Sequence, residues 1–211
     1  MGLLVTFEGI EGSGKSTQIG LTREFLEGGG YPYLVTKEPG GAPLGEEIKR
    51  LVLDGGHLRI DPLAELFLFG ADRAQHVAEV LRPALQEGKV VLCDRFTDAT
   101  VAYQGYGRGV DIAFIEEINR WAAGGLIPAI TILLDCPVEV GMARAQGKDR
   151  FEREEYDFHQ RVREGYLSIA QKEPQRVKVL NAEDEKEAIQ EEIQRIITSL
   201  LARREPWPSK M

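Results

Sequence analysis

Residues 3–21 read LLVTFEGIEGSGKSTQIGL, and this stretch constrains the chain more than any other. A short apolar, β-prone run ends at Glu8, glycines follow at positions 9, 12 and 14, and a helical pattern begins at Lys15-Ser16-Thr17. The pattern G-x-x-x-x-G-K-[ST] is satisfied in full from Gly9 to Ser16, in the strand–loop–helix setting it requires. Glycines at Gly9, Gly12 and Gly14, with Ser13 between them, let successive backbone N–H groups turn inward around an anion without a Cβ in the way. The helix that starts near Lys15 adds unpaired N–H groups, extending to Thr17, and a positive dipole end. Lys15 can reach β- and γ-phosphates, and the Ser16 hydroxyl can ligate Mg²⁺. The stretch predicts binding of a nucleoside triphosphate and says nothing about the reaction that follows.

Four further apolar runs, at 33–36, 90–93, 130–134 and 177–180, are short and mostly β-branched, as strands covered on both faces should be. Helix-length patterns fall between them at 16–27, 44–53, 62–87, 112–123, 138–145, 155–173 and 183–202. Strands alternating with helices imply parallel βαβ units and a doubly wound α/β sheet with helices on both faces. With 211 residues, no internal repeat and no linker composition, one domain over 1–203 is expected, followed by a frayed tail at 204–211. A net charge of −8 argues against a nucleic-acid or membrane-surface binder, so cations must be concentrated locally at any anion site. No signal peptide or membrane span is expected, and Cys93 and Cys136, without metal spacing, read as reduced thiols of a cytoplasmic protein.

The strand at 90–93 ends in Asp94, the form of a Walker-B carboxylate delivered near the metal. An acid at a strand end is equally a turn carboxylate when taken alone; the Gly-rich loop tips the reading. Arg95 beside it suits a second, phosphorylated molecule better than it suits a simple switch. Within 62–87, about 100° per residue places Leu63, Phe67, Gly70, Ala74, Val77 and Leu81 on one stripe, the expected core face. Phe69 and Arg73 fall away from it, as a platform for a planar ring with a donor beside it, or as a covered phenylalanine and an arginine paired with an acid. Residues 94–109 (DRFTDATVAYQGYGRG) read as a loop at the strand edge, where such sheets bind ligands, with Thr100 and Gln104 able to read polar ring edges and Tyr103 giving bulk. Arg144, Lys148, Arg150 and Arg153 crowd a charged excursion that could be a solvated face or a mobile lid over about 144–155. His57, His76 and His159 follow no ligand spacing and read as surface or packing residues.

FEGIEGSGKST, TKEPGG, FLFGADRAQH, CDRFTDATVAYQGYGRG, LLDCPVEVGMARA and DRFEREEYDFHQRVREGYL, at these separations, resemble the bacterial thymidylate kinases over nearly the whole chain. That resemblance implies a P-loop fold with five parallel strands and the reaction ATP + dTMP → ADP + dTDP with Mg²⁺. It implies that Phe69 stacks on thymine, that Arg73, Thr100 and Gln104 meet the base, and that Tyr103 crowds the sugar 2′ position. Arg95 would grip the monophosphate, and Glu11 would lie near the sugar 3′-hydroxyl and the metal region with Ser16 and Asp94. Pro39 would sit in a turn, often cis, beside the acceptor, and Arg144, Arg150 and Arg153 would meet the transferring charge from the lid, with their individual roles unassigned. A homodimer packed through helices is the family's usual state.

A phosphate acceptor is already largely ionised near neutral pH, so no general base is needed. Catalysis reduces to aligning two anions and offsetting their repulsion, about 4 kcal/mol for unit charges ~4 Å apart at an effective dielectric of 20. Two alternatives stay open on sequence: a kinase for another nucleotide, and an ATPase or switch with no acceptor.

Overall fold

A computed structural model describes residues 2–54, 58–145 and 149–202. Lys148, His57 and the tail expected at 204–211 therefore lie outside the described residues. The strands are β1 (Leu3–Glu8), β2 (Tyr33–Lys37), β3 (Val90–Asp94), β4 (Ile130–Asp135) and β5 (Val177–Asn181), each within a residue or two of the run that predicted it. They form one sheet in the order β2-β3-β1-β4-β5. All the pairings are parallel, with Val5 opposite Leu92 on one side and Ile130 on the other.

Helices join the strands: α1 (Lys15–Gly28), α2 (Pro43–Lys49, widening into a π-helical turn over Arg50–Asp54) and α3 (Pro62–His76), which runs on through Val77–Leu81 to Arg82–Gln86. Then come α4 (Thr97–Thr100, continuing as Val101–Gly107), α5 (Ile112–Ala122), α6 (Val138–Arg144), α7 (Tyr156–Lys172) and α8 (Lys186–Ala202). The two faces of the sheet feed two separate apolar clusters, as the two-residue period of a strand requires. Leu3, Val5, Phe7, Val90 and Leu92 pack into the larger one, and Leu4, Val91 and Cys93 into the other. Both cysteines are free and buried.

Three expectations need correction. Only the inner strands are covered on both faces; at the sheet edges, β2 and the part of β5 after the buried Val177 consist of half-buried and exposed positions. On α3, Gly70, Val77 and Leu81 are buried as expected, but Leu63, Phe67 and Ala74 face outward, with Leu63 43% and Phe67 49% exposed. The inward side carries Glu65, Leu66, Asp72, Arg73 and His76 instead, because the polar groups among them find partners on other elements, Glu65 with Gln104 and Arg150, Asp72 with the Gly40 N–H, Arg73 and His76 with Glu38, and so can be buried. Finally, residues 97–107 are helical and not a loop. Gly107 is needed there because a Cβ would lie 2.6 Å from the Phe158 ring of α7, so the glycines of this stretch serve close helix packing.

Candidate active site

β1 and β3 end side by side, Phe7 opposite Asp94, and their carboxyl edges open into the loops that carry the chemistry. Residues 9–14 wrap the start of α1, whose cap Gly14 is left-handed at φ 92°. Gly12 also admits no side chain, since a Cβ would meet the Gly141 carbonyl of α6 at 2.1 Å. Lys15 is 8% exposed and folds back over its own loop, donating to the carbonyls of Gly9 (3.1 Å) and Ile10 (2.9 Å) and to Ser13 Oγ (3.4 Å). Burial, then the nearby Arg95, push its ammonium down to about 8. Ser16 and Thr17 are exposed on the first helical turn.

One cavity of about 300 Å³ runs from Glu11, Gly12, Lys15 and Ser16 past Asp94 and Arg95 to Phe69, Arg73, Thr100, Tyr103 and Gln104, with Pro39 on its wall. Segments widely separated in the sequence thus share a single space. Arg95 stands at the middle. Its backbone is left-handed (φ 67°), which turns the side chain from the strand end toward the Gly-rich loop. It donates to the Gly9 carbonyl (3.1 Å), Tyr166 Oη (3.0 Å) and Glu11 Oε1 (3.1 Å), and lies 4.8 Å over the Tyr103 ring. Tyr103 Oη donates to the same Glu11 oxygen at 2.6 Å. Burial alone would raise the Glu11 carboxyl, but Arg95, His159, Lys15 and Tyr103 together hold it down at about 2. Beneath them Glu8, fully buried, accepts from the Phe96 N–H (2.7 Å) and from Tyr166 Oη (2.8 Å); burial and the charge of Asp98 push it up to about 8.

At the far end, Phe69 is half-buried and faces the cavity with Arg73. Of the two sequence alternatives for Arg73, the pairing with an acid is present, and the side chain is also on the cavity wall. It is pinned by Glu38 (2.9 Å), Asn119 (2.6 Å) and the Phe96 carbonyl (3.0 Å). Glu38 is in turn held by His76 (2.9 Å), whose other ring nitrogen meets Thr36 at 2.7 Å. The Glu38–Pro39 peptide is cis, and Asp72 accepts from the Gly40 N–H at 3.0 Å, fixing that turn against α3. Thr100 is 2% exposed, and Gln104 Nε2 donates to the buried Glu65 at 2.8 Å.

The basic segment divides. Arg144 lies beside Gly12 and donates to the Ala182 carbonyl (3.2 Å). Arg150 turns the other way, to the Val52 carbonyl (3.0 Å) and to Glu65. Arg153 is exposed. His76 and His159 are both buried, and both pair with carboxylates, His159 with Glu11 at 3.3 Å. Sequence reasoning missed Glu38, Glu65, Tyr166 and Phe151. Tyr166 and Glu38 could be found only by knowing what they touch.

Ser16 and Asp94 face one cavity, and among the described residues no group of three metal-ligating side chains occurs. A hydroxyl and a carboxylate facing one cavity are oxygen donors, which suit a hard cation whose other ligands are phosphate oxygens.

A family model described as thymidylate kinase matches residues 7–193. A thymidylate kinase of Geobacter sulfurreducens is 49% identical over 97% of this chain and 100% of its own length. One from Citrifermentans bemidjiense is 53% identical over 86% of this chain and 84% of its own. The crystal structure of thymidylate kinase from Ehrlichia chaffeensis superposes with a TM-score of 0.78 at 34% identity, covering 94% of this chain and all of that one. With a P-loop sheet of matching topology and a cavity joining loop to aromatic pocket, the chain belongs to the thymidylate kinase family.

Proposed function

We propose that this protein transfers the γ-phosphoryl group of ATP to the 5′-phosphate of dTMP, giving dTDP and ADP. The observation that carries this reading is the single cavity with Lys15 and Ser16 at one end, Phe69, Thr100 and Gln104 at the other, and Arg95 between them. Residues Gly9 to Thr17, with Glu11 within them, cradle the donor phosphates. Lys15 leaves the loop carbonyls that now hold it and takes the β/γ-phosphates in their place. Ser16, Asp94 and Glu11 would hold Mg²⁺, which would neutralise charge on the phosphates. Arg95 grips the acceptor phosphate, Glu11 and Tyr103 flank the sugar, and Arg73, already fixed by Glu38 and Asn119, offers its remaining N–H groups to the base.

No side chain needs to act as a base. The residues bring two anions in line and offset their repulsion, and Arg144 and Arg153 complete that charge from the donor side. Arg150 is retained in the segment at 144–155 in a holding role, given its pair with Glu65.

The site sits in one domain, 1–203, of a cytoplasmic homodimer. The dimer reading is supported by the outward apolar stripe of Leu63 and Phe67 on α3, with Phe114 of α5 edge-on to Phe67 at 6.3 Å. The activity is tested by ADP release with ATP and Mg²⁺ across a panel of nucleoside monophosphates. Turnover should depend on the acceptor and be fastest with dTMP; equal turnover without acceptor would make the protein an ATPase.

A further inference from the structure

Phe151 lines the same cavity as Phe69, Thr100 and Gln104, although it comes from the charged segment that follows α6. The residue is 5% exposed, and its ring centroid lies 6.1 Å from that of Phe69 at a 45° tilt and 5.5 Å from that of Tyr103 edge-on. Three arrangements hold it. Asp149 Oδ1 accepts from the N–H groups of Phe151 (2.8 Å) and Glu152 (2.9 Å), closing the turn. Arg150 donates from its backbone to the Leu53 carbonyl (3.2 Å) and from Nε to the Val52 carbonyl (3.0 Å), while its Nη2 pairs with Glu65. Arg108 lies 5.4 Å over the ring and is paired with Glu154 at 2.6 Å. Glu65 is fully buried, and its second oxygen accepts from Gln104 at 2.8 Å. One carboxylate therefore fixes both Gln104 and the segment that carries Phe151.

We propose that Phe151 is a specificity-determining wall of the acceptor-base slot, and that Glu65, acting through Arg150, is the positioning residue that sets its depth. The inference rests on reading the Phe69 end of the cavity as the base site. A ring sandwiched between two others needs roughly 7–8 Å between them, two contacts of ~3.5–4.0 Å each. The 6.1 Å between Phe69 and Phe151 is too small for that, so a base lying flat on Phe69 meets Phe151 at its edge. A wall at the edge limits ring size. A fused purine, longer than a single pyrimidine ring, therefore requires Phe151 to withdraw further, against the Asp149 turn and the Arg150–Glu65 pair.

The test is steady-state kinetics of Phe151→Ala, Phe151→Leu, Glu65→Gln, Glu65→Asp and, as control, Phe69→Ala, with circular dichroism to confirm folding. Each is assayed with dTMP and with a purine deoxynucleoside 5′-monophosphate, and KM for ATP is measured alongside. The proposal expects Phe151→Ala to shift the purine-to-pyrimidine ratio of kcat/KM by about tenfold or more, with KM for ATP within about twofold of wild type. Phe151→Leu shifts it in the same direction by less, and serves if the alanine variant does not fold. Glu65→Gln follows the same pattern, and Glu65→Asp, which keeps the charge, restores part of the selectivity. Unchanged selectivity in folded Phe151 variants while Phe69→Ala raises the dTMP KM overturns this inference alone. Unchanged dTMP KM in Phe69→Ala as well overturns the assignment of the base site.

Discussion

Arg95 is the residue whose removal bears most heavily on the mechanism, and its backbone makes the prediction two-sided. Its guanidinium sits between Glu11, the Gly9 carbonyl and Tyr166, in the stretch of cavity that separates the Gly-rich loop from the aromatic end. A phosphate held there at ~4 Å gains about 4 kcal/mol from one unit charge at an effective dielectric of 20. Part of that returns on mutation, because Arg95 also repels Lys15. Arg95→Ala should therefore lower kcat/KM for dTMP by about a hundred- to a thousandfold, each factor of ten being ~1.4 kcal/mol. KM for ATP should stay within about threefold, since Lys15 and the loop N–H groups remain. The backbone adds the second side: a non-glycine residue at φ 67° carries roughly 1 kcal/mol that glycine avoids. Arg95→Gly should thus lose the same activity as Arg95→Ala yet melt about 2–4 °C higher. Steady-state assays with each substrate varied, and thermal melts of both variants, check this. Activity with dTMP within tenfold of wild type, or a loss that appears in KM for ATP instead, would refute the assignment of Arg95 to the acceptor phosphate.

Other expectations follow from the same geometry. Tyr103→Phe, which loses the bond to Glu11 but keeps the ring, should be mild, whereas Tyr103→Ala should raise the use of the ribonucleotide relative to dTMP; unchanged sugar selectivity in the latter removes the steric role. Glu8, raised in the folded state from 4.5 to about 8, contributes stability that is complete below pH 4.5 and is lost as pH climbs through about 8. Thermal melts from pH 5 to 8 should therefore fall more steeply for wild type than for Glu8→Gln, and parallel curves would contradict the burial argument. If Leu63 and Phe67 form the proposed dimer face, wild type should sediment as a dimer and Phe67→Asp as a monomer; the same state in both puts any interface elsewhere.

The sheet was legible because its signals are local: five short apolar runs, and a loop whose glycines, lysine and serine each have a physical reason at their spacing. The placement of Asp94 and Arg95 in one cavity with that loop was legible because they follow a strand end beside it. The inward face of α3 was not, since hydropathy reads Glu65, Asp72, Arg73 and His76 as solvent-facing and cannot see that they pair across to Arg150, Gly40, Glu38 and Thr36. Gly105 and Gly107 suggested a loop for a similar reason: what they make room for, the side chains of Ile112 and Phe158, lies on other elements. Phe151 was hidden by its neighbours, one aromatic among arginines and glutamates, and only the fold brings it against Phe69 and Tyr103.

The central claim is that Lys15 and Arg95 converge two phosphate groups within one cavity. A crystal structure with dTMP and a non-hydrolysable ATP analogue with Mg²⁺ tests it most directly. The dTMP phosphate is expected within about 3 Å of the Arg95 guanidinium and the γ-phosphate on Lys15, in line for transfer. A dTMP phosphate outside reach of Arg95, or a pyrimidine away from Phe69, would contradict it.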